Sequence, residues 1–100
     1  MNIDKVEVQN NDKEFTIYPK KQSVEIENKI YYIEKESIEE LIRIIRVWDN
    51  EYIDNSYTDG INFCVKVHYD GKVDIMKGRR AVPDNYEDFN KYVKKIYDRR

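Results

Sequence analysis

The chain has 100 residues, of which 40% are hydrophobic and 38% are charged, and its formal net charge at pH 7 is -2. This length predicts one domain, 1–100, that buries a core of its own. The single cysteine excludes an intramolecular disulfide, and no apolar run is typical of a signal peptide or a membrane span, so we expect a cytoplasmic location.

The first third of the chain predicts a meander of short strands. Apolar residues that recur in pairs, and one continuous apolar run, indicate strands near 15–17, 24–26 and 30–33. Turn formers separate these segments, among them Pro19 and Asn28. A further strand near 3–8 is predicted at an edge of the sheet.

Two amphipathic helices are predicted, each with a start signal. Ser37 with Glu40 forms a capping box, and Asp84 directly after Pro83 is a second N-cap candidate. The residues that follow at helical spacing are Ile38, Leu41, Ile42, Ile45 and Trp48 for the first helix and Tyr86, Phe89, Val93, Ile96 and Tyr97 for the second.

A β-hairpin is the strongest structural signal in the chain. Apolar and polar residues alternate over 61–69, Val73 and Ile75 continue the apolar pattern, and Asp70-Gly71 lies between them. A two-residue turn at Asp70-Gly71 would place Val73 and Ile75 on the face opposite to the valines of the first strand. The residue pattern therefore disfavours that turn.

A three-residue loop over 69–71, with its glycine in the left-handed region, is the predicted connection instead. It pairs Val67 with Val73 and Val65 with Ile75, so that all four side chains share one buried face.

Together these elements predict an α+β fold, in which an antiparallel β-sheet combines the N-terminal meander with the C-terminal hairpin and carries two amphipathic helices. The predicted order is β-β-β-(β)-α-β-β-α. Each helix has one apolar stripe and needs a sheet to cover, and this order of elements is typical of an antiparallel sheet with both helices on one face. The alternative places them on opposite faces, which the continuous apolar run over 30–33 would serve.

Charge is distributed unevenly along the chain. Residues 1–70 carry nine basic against fifteen acidic residues, and residues 71–100 carry nine against five. The asymmetry predicts two partner-binding sets, each with a solvated surface as the alternative. The basic set is Arg79, Arg80, Lys77 and Lys91, and the acidic set is Asp49, Glu51, Asp54 and Asp59. A protein partner is favoured over nucleic acid, because the pI is about 5.5.

No catalytic constellation is recognisable, and no cofactor or metal site is predicted. The chain has one histidine, His68, and lacks nucleophile-elbow, P-loop and Cys-x-x-Cys motifs. Cys64 shares a strand face with His68, but four residues of strand separate them by roughly 13 Å, too far for a hydrogen bond. Asp54 and Asp59 offer a pair of carboxylates for a metal ion, but two acids in a turn are common.

A spaced set of mainly aromatic, glycine and proline residues runs through the second half of the chain: Trp48, Tyr52, Asp59, Gly60, Phe63, Gly71, Gly78, Ala81, Pro83, Tyr86 and Phe89. This set resembles the pattern of a loose group of small uncharacterised α+β proteins of bacteria and mobile elements. The resemblance covers about half of the chain and implies no activity. Arg79-Arg80 and Val82 depart from the pattern, since small or polar residues and an aromatic are usual there.

These observations favour a small protein inhibitor that binds and blocks a bacterial effector. A phage anti-defence protein of the anti-CRISPR kind and a toxin-immunity protein are the two forms considered. The alternatives are a homo-oligomeric subunit that associates through an edge strand, and a small enzyme with a cryptic site. Arg79 and Arg80 are the residues that folding explains least.

Overall fold

The computed structural model describes residues 2–49, 51–53, 62–79 and 81–99, and only the backbone of 51–53 and 79. A seven-stranded sheet and two helices form within these ranges. The α+β class is thereby confirmed. The elements are β1 (Ile3–Asn10), β2 (Lys13–Tyr18), a 3-10 turn (Pro19–Lys21), β3 (Ser23–Ile26), β4 (Lys29–Tyr32), α1 (Lys35–Ile45), β5 (Glu51–Ile53), β6 (Asn62–Tyr69), β7 (Lys72–Arg79) and α2 (Tyr86–Tyr97).

The strands lie in the order β4-β3-β2-β1-β6-β7-β5. All neighbours are antiparallel except β5, which pairs in parallel with β7. The predicted edge position of the first strand is wrong, because β1 lies between β2 and β6. Val6 shows the reason, since it is fully buried between Ile17 on one side and Val67 on the other.

Both helices cover the same face of the sheet, as expected, and the opposite-face alternative is excluded. Their apolar residues join those of the strands in one continuous core. We call the helix side the covered face and the other side the open face. The open face carries Lys5, Glu7, Gln9, Glu14, Thr16, Tyr18, Ser23, Glu25, Ile30, Tyr32, Cys64, Lys66, His68, Val73, Ile75 and Lys77.

The start of α1 differs from the predicted capping box. Glu34 is the N-cap, the helix begins at Lys35, and Ser37 lies inside the first turn. The Ser37 hydroxyl donates to the Glu34 carboxylate at 3.3 Å instead of capping a backbone N–H. Ser37 is also buried, because it faces α2, where the Tyr92 hydroxyl donates to its carbonyl at 2.7 Å.

The start of α2 differs as well, because Asn85 and not Asp84 is its N-cap. The Asn85 side chain makes no capping bond, since it connects the two helices. Its Oδ1 accepts from Trp48 Nε1 at 2.6 Å, and its Nδ2 donates to the Ile44 carbonyl at 2.9 Å. Both bonds satisfy polar groups at the end of α1 that would otherwise lose their water.

The β6–β7 hairpin corrects the predicted register. Its loop is the two-residue turn that the sequence argument rejected, with Asp70 and Gly71 both at positive φ (49° and 74°). Val67 therefore pairs with Asp74, and Val65 with Met76. Positive φ at both central positions is the type I′ geometry, which matches the twist of the strands. This turn governs the register, although it leaves two apolar residues exposed.

An aromatic cluster fills the core beneath β6 and β7. The Trp48 ring meets the rings of Phe63 and Phe89 edge-on, with centroids 5.1 and 4.9 Å apart. Phe63 lies directly across from Gly78, and a Cβ on Gly78 would stand 2.1 Å from the Phe63 ring. Glycine is required at this position because the ring occupies the space of a side chain.

Candidate interaction surfaces

A groove of about 590 Å³ lies on the open face, where β1, β2 and β3 meet the start of β6. Four carboxylate side chains line it, those of Glu7, Glu14, Glu25 and Glu27, together with a single lysine, Lys66. Like charges gathered in a concavity strengthen one another's field, so this groove attracts cations and basic groups.

The strand registers explain why these residues converge. Glu25 pairs with Thr16, Thr16 neighbours Glu7, and Glu7 pairs with Lys66, so one row crosses four strands. Side chains alternate between faces along each strand, and the covered face takes the valines and isoleucines of β1, β2 and β3. The acidic groove therefore lies on the side of these strands opposite to the core.

One carboxylate of the groove is held by a specific partner. His68 Nε2 and Glu7 Oε2 lie 2.6 Å apart, across the β1–β6 ladder. The hydrogen bond from His68 lowers the pKa of Glu7 below its ordinary value, and the nearby Lys5 and Lys66 act in the same direction. Glu7 therefore remains a carboxylate at neutral pH with its side chain oriented.

Apolar side chains flank the charged centre of the open face. Val73 and Ile75 on β7 are 47% and 43% exposed, and Ile30 and Tyr32 on β4 are 71% and 66% exposed. Exposed apolar residues that share one face with oriented charges are typical of a protein-binding surface.

The predicted basic set does not come together on one surface, as far as its members are described. Lys77 lies on the open face across from Cys64, whereas Lys91 is exposed on α2, on the helix side of the sheet. The backbone of Arg79 ends β7, where it pairs with β5 and β6. Arg80 lies outside the described residues.

The predicted acidic set is described only in part. Asp49 is exposed just after α1, and Glu51 begins β5, whereas Asp54 and Asp59 lie outside the described residues. Glu51 pairs with Lys77 across the β5–β7 ladder. Glu51 of the acidic set and Lys77 of the basic set therefore lie directly opposite each other on neighbouring strands.

Cys64 and His68 do share the open face, as their spacing predicted. The histidine bonds Glu7 across the sheet, and Cys64 lies between Gln9 and Lys77. Within the described ranges, no three His, Cys, Asp or Glu side chains are grouped for a metal ion. Neither of the two helices is long and apolar enough to cross a membrane.

Sequence reasoning did not single out the glutamates of the groove. Glu14 and Glu25 occupy alternate positions in strands that were predicted, so their common face could be found once the pairing of β1, β2 and β3 was known. The predicted meander implies that pairing, but it does not reveal that β1 is central and pairs with β6, which brings Lys66 to the groove. Comparison with protein-family models, curated proteins and solved structures finds no match to the chain.

Proposed function

We propose that this chain is a non-enzymatic inhibitor protein, which binds a bacterial effector through the open face of its sheet and blocks it. A phage anti-defence protein of the anti-CRISPR kind and a toxin-immunity protein are the two biological forms of this proposal. The acidic groove is the observation that supports it most directly, because four glutamates and one lysine line the concavity.

The groove favours a partner with a basic surface. An uncovered antiparallel sheet face is ordinary in itself, since such sheets often leave one side in water. Here the uncovered face combines concentrated negative charge with exposed Val73 and Ile75 beside it. Complementary charge steers a partner and sets its orientation, and the desolvated apolar side chains contribute affinity.

The sheet also presents these carboxylates in a partly preorganised form. Glu7 is oriented by His68, and the Tyr18 hydroxyl lies 3.4 Å from Glu25 Oε1. Side chains that are already restrained lose less conformational entropy when a partner binds. This supports binding of the groove to a basic surface on a partner.

Charge reversal in the groove tests the proposal. The protein is used to isolate a stoichiometric partner from its host, and the affinity of that partner is measured by calorimetry for the chain and for Glu25→Lys. We expect at least a tenfold loss of affinity, together with a weaker dependence on salt. Glu39→Lys, on the exposed side of α1, is the matched control and should bind like the unchanged protein.

Two outcomes would redirect this proposal. Unchanged binding by Glu25→Lys, with loss of binding in Arg79→Ala/Arg80→Ala, would move the interface to the predicted basic segment. Loss of inhibition in Cys64→Ser or His68→Ala, with an unchanged melting temperature and unchanged partner binding, would instead support an enzyme. We expect Cys64→Ser to inhibit normally, and we expect any loss of inhibition in His68→Ala to match a loss of partner affinity, because His68 orients Glu7.

A further inference from the structure

The backbone of β4 has an open edge, since β4 ends the strand order of the sheet. All four residues of β4 pair with β3, and just beyond them Ile33 N–H donates to the Gln22 carbonyl at 3.0 Å. Every second residue back from Ile33, namely Tyr31 and Lys29, therefore directs its backbone groups toward β3. In an antiparallel ladder the intervening residues direct their backbone groups the other way. The N–H and C=O groups of Ile30 and Tyr32 therefore point out of the sheet.

The side chains on this edge are unusual for an exposed strand. Natural edge strands are commonly protected by lysine, proline, a bulge or a covering element, and β4 has one such residue, the exposed Lys29 at its first position. On β4 the two residues with outward backbone groups are apolar or aromatic, and Ile30 and Tyr32 are among the most exposed large hydrophobic side chains of the described chain. The edge thus has the properties of a docking strand.

We propose that β4 docks antiparallel against β4 of a second copy of this chain, with Tyr31 on the two-fold axis. This register places Ile30 opposite Tyr32 of the second copy, and Tyr32 opposite its Ile30. The two residues with outward-pointing backbone groups then form both hydrogen-bonded pairs, giving four interchain bonds. The two sheets become one continuous sheet.

In this register the side chains of one copy complement those of the second copy. Each Ile30 meets a Tyr32 on the open face, which is a favourable aromatic–aliphatic cross-strand pair. Glu27, in the turn before β4, comes toward Lys35 of the second copy, at the start of α1. Because a two-fold interface repeats every contact, opposite charges approach one another at both ends.

Arg99 opposes this association in the single chain. Its Nη1 donates to the Tyr32 carbonyl at 3.0 Å, and its Nη2 lies 2.7 Å from Glu34 Oε2. The same carbonyl is an acceptor in the dimer ladder, so the guanidinium and the second copy compete for it. The contact is also short, since β4 has four residues. The dimer is therefore weak and depends on concentration.

Sedimentation velocity from about 1 µM to about 1 mM protein tests the association. We expect the unchanged chain to dimerise toward the upper end, Ile30→Lys to weaken the dimer at least tenfold and Arg99→Ala to strengthen it. Val47→Lys, at an equally exposed apolar residue after α1, is the matched control and should dimerise normally. The proposal is overturned if the unchanged chain and Arg99→Ala both stay monomeric, or if Ile30→Lys dimerises normally.

Cross-linking tests the register separately. In a Cys64→Ser background, Tyr31→Cys places a thiol directly on the two-fold axis, where facing Cα atoms lie about 4.5 Å apart, within disulfide range. We expect rapid oxidation to a disulfide-linked dimer. Lys29→Cys in the same background is the control, because its cysteine faces Ile33 of the second copy. Equal cross-linking of both variants would contradict this register, and sedimentation of the reduced proteins shows whether each still dimerises.

Discussion

The two faces of the β6–β7 hairpin differ in what their residues contribute to the molecule. On the covered face, Phe63 and Val65 are almost fully buried in the aromatic core. On the open face of the same two strands, Val73 and Ile75 remain nearly half exposed beside His68. The covered face contributes to the packed core, whereas the open face tolerates exposed apolar groups next to charges.

The difference shows that hydrophobicity alone does not identify the buried face of a strand. Val67 and Val73 have the same side chain and lie close together in the hairpin, yet only Val67 is buried. The type I′ turn at Asp70-Gly71 decides between them, because it determines which residues face each other.

The largest effect is expected for a carboxylate placed on the covered face, and the same substitution on the open face is its comparison. Val67→Asp buries an unpaired carboxylate and should destabilise the domain by about 3–5 kcal/mol, enough to unfold it under most conditions. Val73→Asp places the same carboxylate on the open face and should cost less than about 1 kcal/mol. Urea unfolding followed by Trp48 fluorescence measures both.

The outcome also discriminates between the two hairpin registers. In the three-residue loop that the sequence predicted, Val73 is buried opposite Val67, so both variants would unfold. A stable Val67→Asp variant would contradict the covered-face assignment of β6 in either register.

An intermediate effect is expected where the covered face leaves no space. Gly78→Ala puts a methyl group 2.1 Å from the Phe63 ring and should cost about 1–3 kcal/mol through overpacking. The matched control is Gly71→Ala, because its added methyl group meets no atom within 4 Å and its cost comes from the positive φ alone.

A double-mutant cycle separates steric conflict from backbone strain. Phe63→Leu removes the ring that the new methyl group would strike, so Gly78→Ala should cost less in that background than in the unchanged chain. Paired with Gly71→Ala, Phe63→Leu should show no such coupling. Additive costs at Gly78 would mean that the ring is not responsible.

The smallest effect concerns the charged pair on the open face. The pKa of Glu7 is lowered in the folded chain, so its contribution to stability is present above its ordinary value of 4.5 and is lost as the pH falls through the lowered pKa. The pair is partly exposed, so we expect at most about 0.5 kcal/mol.

Urea unfolding from about pH 6 to about pH 3 measures this contribution. Glu7→Gln should reduce the acid sensitivity, and Glu39→Gln on the outer side of α1 is the control. Equal pH dependence in Glu7→Gln and the unchanged chain would show that the hydrogen bond to His68 adds nothing to stability.

Much of the architecture was accessible from residue patterns. The helices, the hairpin and the strands other than β5 followed from periodicity, and placing both helices on one face followed from the order of elements. The short β5, between α1 and the hairpin, was not predicted. The register of the hairpin was not accessible by the same logic, since it assumed that Val73 and Ile75 must be buried. Their exposure is an exception that the pattern cannot reveal.

The helix starts show a second limit of sequence reasoning. Ser37 and Asp84 match capping preferences, but the N-caps in the folded chain are Glu34 and Asn85. Ser37 is buried against α2, and the neighbouring Asn85 uses its amide to connect Trp48 with the end of α1. A local motif does not indicate that a side chain is needed by a distant element.

The candidate surface was only partly accessible. The uneven distribution of charge along the chain was visible in the sequence, and it predicted partner-binding residues in segments 49–59 and 77–80. The acidic groove instead collects its glutamates from three strands and a turn, and Cys64 and Lys66 from a fourth strand, so no short segment contains it. The complete groove requires the contact between β1 and β6, across more than half of the chain.

The central position of β1 means that its second neighbour, β6, becomes available only late in synthesis. The first four strands and α1 leave the ribosome before β6, the second neighbour of β1, has been made. Until then Val6 and Val8 lie along an unpaired edge, which is a template for association with other chains. The same strand that joins the two halves of the finished sheet is therefore the most vulnerable part of the unfinished one.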